Sequence, residues 1–229
     1  GLPQVELLKA LKATGKPVIL ILTAGRPLAL TETEPLADAI LYTWSLGDQA
    51  GRAMADVVFG DVNPSARLST SFPRNVGQCP IYYNHKNTGR PHQDGAAYSR
   101  FNSNYLDCIH GPLYAFGHGL SYTTFEYSDV TLSNNEMTAD GQVKASVTVT
   151  NTGKRDGKEV VQLYVRDIYA TSSRPVKELK GFEKISLKAG ESKTVSFEIG
   201  RKQLEYYNHA LQLTVEPGLS LIHISEPTR

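Results

Sequence analysis

The stretch QVKASVTVTN, residues 142–151, decides the reading of the second half of the chain. Val143, Ala145, Val147 and Val149 fall on one face of an extended segment, and Lys144, Ser146, Thr148 and Thr150 on the other. A period of two marks a strand with one face in a core and one in water. VVQLYVRD (160–167) repeats the pattern with Val161, Leu163 and Val165, and KTVSFEIG (193–200) with Val195, Phe197 and Ile199. NTGKRDGK (151–158) and KAGESK (188–193) punctuate them as turns. Short alternating strands at regular spacing predict an antiparallel β-sandwich from about Thr123 to Gly218.

Towards the N-terminus the period changes. Residues 3–13 fit a helix with Val5, Leu7, Leu8 and Leu11 on one broad face, stopped by Gly15 and Pro17. VILIL (18–22) predicts a strand buried on both faces, and AILYTW (39–44) a second. Asp48 is placed to cap a helix whose Ala50, Ala53, Met54, Val57 and Val58 share a face, and Gly60 ends it. This is an α/β layer, yet two or three strands make a small sheet, so the first domain reads as incomplete. Asn63 to Tyr122 carries no periodicity. Its Asn63-Pro64, Phe72-Pro73, Cys79-Pro80, Arg90-Pro91 and Gly111-Pro112 steps, with FGHG (116–119), predict a functional or inter-domain connection. The fold class expected is therefore α/β followed by all-β, the latter of immunoglobulin or fibronectin type.

Composition narrows the functions. A net charge of +1 gives no electrostatic ground for a nucleic-acid or anionic-membrane partner. No apolar run is long enough to span a bilayer. GLPQVELLKALKATGKP (1–17) is amphipathic and lacks the features of a signal peptide. An apolar content of 40% with twelve tyrosines supports real cores, and two cysteines, Cys79 and Cys108, do not make a disulfide framework.

Five stretches in register carry a family resemblance: LKALKATGKPVILIL (8–22), GRPLAL (25–30), ADVVFGDVNPSARLSTSFPRNVGQCPIYYNHKNTGRP (55–91), GPLYAFGHGLSYTTFEYS (111–128) and SRPVKELKGFEKISLKAGESKTVSFEI (173–199). Together they resemble glycoside hydrolase family 3, and within it the periplasmic β-glucosidases. The resemblance implies a (β/α)8 barrel first, then an α/β sandwich domain, then a fibronectin type III-like domain. Residues 1–85 would be the C-terminal part of the α/β sandwich domain, 86–122 an inter-domain loop, and 123–218 the fibronectin-like domain without its last strand. Leu219 to Arg229 resembles a translated transposase-type library adapter and is expected to be non-native. Its partly alternating LSLIHIS is expected to fill the open sheet edge as a strand all the same.

Retaining glycoside hydrolysis needs two carboxyl groups about 5–5.5 Å apart, one nucleophile and one acid/base. In this family they belong to the barrel and to a segment expected upstream of residue 1, so no catalytic residue is assigned here. The resemblance implies no cofactor, a β-glucoside oligosaccharide as the parent's substrate, the barrel as a packing partner, and a periplasmic or extracellular location. Where relatives carry G-x-E-G-G after the Trp, this chain has LGDQAG (46–51), with Gln49 for the acidic residue.

Local candidates have plain readings beside them. Asp48 reads as a cap, Asp56 as an exposed helix residue, Asp61 as a turn former, and Glu32 and Glu34 as solvated loop or the start of a short helix. His85, His92 and Asp94 match no strong metal-ligand spacing, so no metal site is assigned. Trp44 follows a strand where open α/β sheets bind ligands, and it serves either a pocket mouth or packing. The loop YYNHKNTGRPHQD (82–94) offers Tyr83, Asn84, His85, Asn87 and Arg90 as hydrogen-bonding groups for sugar hydroxyls. The substrate-binding set is Trp44, His85, Asn87 and Arg90. Two other functions compete with the glucosidase fragment: a non-catalytic module binding glycan or protein, and a metal-dependent hydrolase using the histidines of 85–118.

Overall fold

The structure is a computed structural model that describes residues 2–92 and 98–224. The chain forms two compact units. The described residues of Gly1–Val62, Thr70–Tyr82 and Pro91–Phe116 make the first, and those of Asn63–Ser69, Tyr83–Arg90 and Gly117–Arg229 the second.

In the first unit α1 (Leu2–Ala13) leads to β1 (Ile19–Leu22), β2 (Ala39–Tyr42) and α2 (Ala50–Val58). β1 and β2 are parallel, in register from Ile19↔Ala39 to Leu22↔Tyr42. Asp38 ties three elements together. Its carboxylate accepts from Lys12 Nζ and from the Val18 N–H, both at 2.8 Å, and its own N–H donates to the Val18 carbonyl. The Lys12 hydrogen bond and then the Val18 N–H hold the Asp38 carboxyl below its ordinary pKa. Both helices end as their glycines predict, with Gly15 and Gly60 in the left-handed region at φ +72° and +85°.

Three expectations for this unit are corrected. Asp48 is not the cap of α2: Gln49 holds that position without a side-chain bond, and the entry is a backbone turn in which the Gly47 carbonyl accepts the Ala50 N–H. β1 is not buried on both faces, since Ile19 is 50% and Ile21 43% exposed. The helical face is divided as well. Leu8 is buried and Val5 half-buried, whereas Leu7 is 61% exposed. Among the described residues only two strands form this sheet, and Ile19 and Ile21 on one of its faces and the Leu7 side of α1 are left partly exposed.

The irregular remainder of this unit is pinned rather than loose. Gln78 is buried, accepts from the Arg74 and Asn75 N–H groups, and donates to the Ile109 and Gly111 carbonyls. The Phe72 N–H donates to the Tyr114 carbonyl and the Phe72 carbonyl accepts the Leu113 N–H, both at 2.8 Å. Cys79 and Cys108 are free thiols.

The second unit is the expected antiparallel sandwich. Its elements are β3 (Phe125–Tyr127), β4 (Thr131–Leu132), β5 (Val143–Asn151), β6 (Gly157–Asp167), β7 (Glu178–Leu187), β8 (Ser192–Ile199), α3 (Arg201–Leu204), β9 (Tyr206–Tyr207), β10 (Leu213–Thr214) and β11 (Ser220–Ile224). One sheet has β5 between β8 and the short β3 and β4, and the other has the order β11-β6-β7. The core joins Ala145, Val147 and Val149 of β5 to Val161 and Leu163, Ile185 and Leu187, Val195 and Ile199, and Ile224. Outside it, hydroxyls pair across β5 and β8: Ser146 with Ser196, Thr148 with Thr194, Thr150 with Ser192. β11 fills the edge beside β6, from Ser220↔Asp167 to Ile224↔Leu163.

One strand departs from simple alternation. In β6 the outward-facing Gln162 and Tyr164 are buried too, because residues 83–90 and 117–119 belong to this unit and cover them. Gly117 has φ +85°, and a Cβ there would stand 2.5 Å from Gln162 Oε1, so the FGHG turn requires glycine at this point.

Candidate functional site

The two sets of predicted contact residues lie in different units: Trp44 in the first, His85, Asn87 and Arg90 in the second.

Trp44 follows the carboxyl end of β2 and, among the described residues, is one of two non-glycine residues at positive φ, +54°. For a residue with a Cβ the left-handed region costs about 1–2 kcal/mol, so the surroundings must fix it there. They do so through an aromatic cluster. Tyr42 stands edge-on at 4.9 Å between ring centroids and Phe72 at 6.0 Å, while Tyr42 and Phe72 meet at 4.8 Å. Phe72 is 1% exposed and anchors the group. Burial pushes the Tyr42 phenol up from its ordinary pKa against the pull of the Arg26 charge, and its hydroxyl donates to the Arg26 carbonyl. Behind these rings Thr23 and Thr43, next past the two strand ends, share a 2.9 Å hydroxyl bond. Trp44 itself is half-buried, so it packs on two rings and keeps part of its indole open at the strand terminus.

In the second unit residues 83–86 are held by the segment that leads into β7. The His85 carbonyl accepts the Val176 N–H at 2.9 Å, Lys86 bridges Pro175, and the Tyr83 hydroxyl accepts the Leu179 N–H at 3.2 Å. Tyr83 stands edge-on to Tyr164 at 6.2 Å, and Tyr164 donates to Gln162 Oε1 at 2.7 Å. Burial, then the nearby Tyr83, pushes the Tyr164 phenol up to about 12. With the backbone fixed in this way, His85, Asn87 and Arg90 are all exposed. The arrangement presents an imidazole, an amide and a guanidinium on an anchored loop, a donor-rich set that suits neutral hydroxyls.

The other candidates separate. His92 packs on His110 in the first unit, with centroids 5.3 Å apart, while His85 is in the second unit and Asp94 lies outside the described residues. Among the described residues no three His, Cys, Asp or Glu side chains gather as a metal site would require. Asp56 stands 3.9 Å from Arg52 one helical turn away, and Glu34 opens a short 3-10 turn with Pro35.

Sequence reasoning passed over two charge groups, one buried and one half-buried. Arg67 pairs with Glu159, the side chains 7% and 0% exposed, and Arg67 also donates to the Gly119 carbonyl while Tyr127 donates to Glu159 at 3.0 Å. The partners are 92 residues apart, and Glu159 sits on a core-facing position of β6 where a charge is least expected. The second group is Arg174 with Asp167 and Glu178, beside a cavity of roughly 30 Å³ whose lining also includes Lys180, Glu216 and Ser220. Burial raises the Asp167 pKa and the Arg174 charge lowers it, while hydrogen bonds from Thr171 hold the Glu216 carboxyl below its ordinary value. A lone Arg before Pro175 in a polar loop gave no sequence signal of burial.

Comparison with known proteins adds the following. Residues 2–122 match the family model described as "Glycosyl hydrolase family 3 C-terminal domain", and residues 159–226 that described as "Fibronectin type III-like domain". The chain is 57% identical over 215 residues to "Periplasmic beta-glucosidase" of Salmonella typhimurium, covering 94% of this chain and 28% of that protein. It is 46% identical over 226 residues to "Beta-xylosidase" of Formosa agariphila, covering 99% of this chain and 30% of that protein. Among solved structures, the β-glucosidase from Listeria innocua in complex with gluconolactone superposes with a TM-score of 0.93 at 44% identity, over 97% of this chain and 31% of that one.

Proposed function

Because this chain belongs to glycosyl hydrolase family 3, we propose that it is a framework portion of a retaining β-glucosidase whose two catalytic carboxyl groups lie outside it. The parent would remove terminal non-reducing β-D-glucosyl residues from oligosaccharides or aryl glucosides. One observation carries this reading: the chain is matched over 94–99% of its own length by a β-glucosidase and a β-xylosidase, yet it spans only 28–30% of theirs. The 46% identity to a protein named as a β-xylosidase supports a second sugar, xylose, at the same donor site.

In this reading a (β/α)8 barrel supplies the nucleophile, and the partly exposed face of β1 and α1 takes the parent's remaining layers. Trp44 in the first unit and the exposed His85, Asn87 and Arg90 in the second are each assigned to sugar contact. Two carboxyl groups give both nucleophile and proton, so the reaction needs neither metal nor organic cofactor. The relative named as periplasmic supports a periplasmic or extracellular setting for the parent.

The experiment is direct. Purified chain is incubated with nitrophenyl β-glucoside beside a heat-inactivated control. No release of nitrophenol above the control is expected, and turnover would overturn the placement of the catalytic pair.

A further inference from the structure

Five anchors in the second unit form one connected path. At its far end, Glu216 accepts both from the Thr171 N–H at 2.9 Å and from the Thr171 hydroxyl at 2.5 Å. Next, the Arg174 guanidinium stands 4.3 Å above the Tyr206 ring, pairs with Glu178 at 2.8 Å, and faces Asp167 at 3.8 Å. A planar guanidinium bound on its edge and stacked on its face is fixed in position and tilt, which a lysine in its place would not be. Residues 171–178 are therefore held at both ends. Between these ends Pro175 forms a bridge with Lys86 and the Val176 N–H donates to the His85 carbonyl, while the Leu179 N–H beyond them donates to the Tyr83 hydroxyl.

We propose that Arg174 is a positioning residue: by locking the 171–178 bracket to Tyr206, Glu178 and Asp167 it sets where the loop bearing His85, Asn87 and Arg90 stands. The assignment of sugar contact to that loop rests on the function proposed above, whereas the positioning itself does not. The Arg174 side chain engages Tyr206, Glu178 and Asp167. It acts on the loop only through the backbone of the bracket, so its effect differs from that of a core side chain.

The test uses the full chain, isotope-labelled and without sugar, so that its outcome is independent of the sugar-binding reading. In Arg174→Met the Val176 N–H is expected to exchange about tenfold faster, a local opening rather than a global one. The Tyr83 ring, held edge-on to Tyr164, and the amides of residues 85–90 should shift, while the amides of β5 keep their rates. Arg174→Lys, which keeps the charge near Glu178 and loses the stack on Tyr206, should fall between. Should Arg174→Met not fold, Thr171→Val loosens the other end of the bracket by removing the hydroxyl bond to Glu216, and it must move the same resonances. Unmoved Tyr83 and 85–90 signals beside a faster Val176 would overturn the proposal. So would equal loosening of Val176 and the β5 amides, which marks a general structural role.

Discussion

Removing Arg67 should expose how the Asn63–Ser69 segment is held to the sandwich. Glu159 is fully buried and Arg67 nearly so, with side-chain exposures of 0% and 7%. Arg67→Met takes the Arg67 cation away from that carboxylate and keeps the hydrogen bond that Tyr127 donates to it. Stranding one charge of a buried pair costs about 3–5 kcal/mol, because its desolvation is no longer offset. The Arg67 bond to the Gly119 carbonyl is lost too, at about 1 kcal/mol, which places the total at the upper end of that range. Adding Glu159→Gln removes the stranded charge while keeping an acceptor for Tyr127. The double variant should then recover about 2 kcal/mol relative to the single one, a coupling typical of side chains in direct contact. Urea unfolding followed by circular dichroism in the β-sheet region reads both numbers, provided the slope of free energy on urea is unchanged. A loss below about 1 kcal/mol in Arg67→Met, or a double variant no more stable than the single, would refute the reasoning.

Two further outcomes follow from the same geometry. Trp44 holds φ +54°, so Trp44→Gly should be more stable than Trp44→Ala by about 1 kcal/mol in thermal unfolding, although both lose the same ring contacts; equal stabilities would mean that the backbone there is unstrained. Tyr164 should ionise late in an absorbance titration, near pH 12, and this late component should vanish in Tyr164→Phe. Its neutral form is favoured by folding, so above the ordinary tyrosine value of about 10 the unfolded chain loses its proton first and stability falls as pH rises towards 12. A titration in which Tyr164→Phe removes a component near the ordinary value of about 10 would show the phenol to be in ordinary surroundings.

The sandwich was legible because its strands alternate. Val143, Ala145, Val147 and Val149 read as inward and are inward, and Val161, Leu163, Val195 and Ile199 likewise. The first unit was legible in its element order. Its burial was not, because VILIL reads as a strand covered on both sides and nothing in four residues tells whether the cover is present. Asp48 failed as a cap for a local reason: a side-chain cap and a backbone turn through Gly47 compete for the same N–H groups, and the glycine beside it allows the turn. The stretch from Asn63 to Tyr122 hid the most. Its Pro and Gly steps marked turns correctly, but the segments 63–69 and 83–90 join the sandwich through Arg67 and Tyr83, whose partners lie 92 and 96 residues away. Pairings of that length leave no periodicity to read. The place of Trp44 just past a strand was legible, and its left-handed backbone was not.

The most direct test of the central claim is a graft. Residues 2–224 replace the matching C-terminal stretch of the Salmonella typhimurium periplasmic β-glucosidase, with which this chain is 57% identical. The folded chimera is predicted to hydrolyse nitrophenyl β-glucoside, and Arg90→Ala within it to raise KM for cellobiose with kcat little changed. A chimera that folds, as judged by circular dichroism and a single cooperative unfolding transition, and yet releases no nitrophenol would contradict the account.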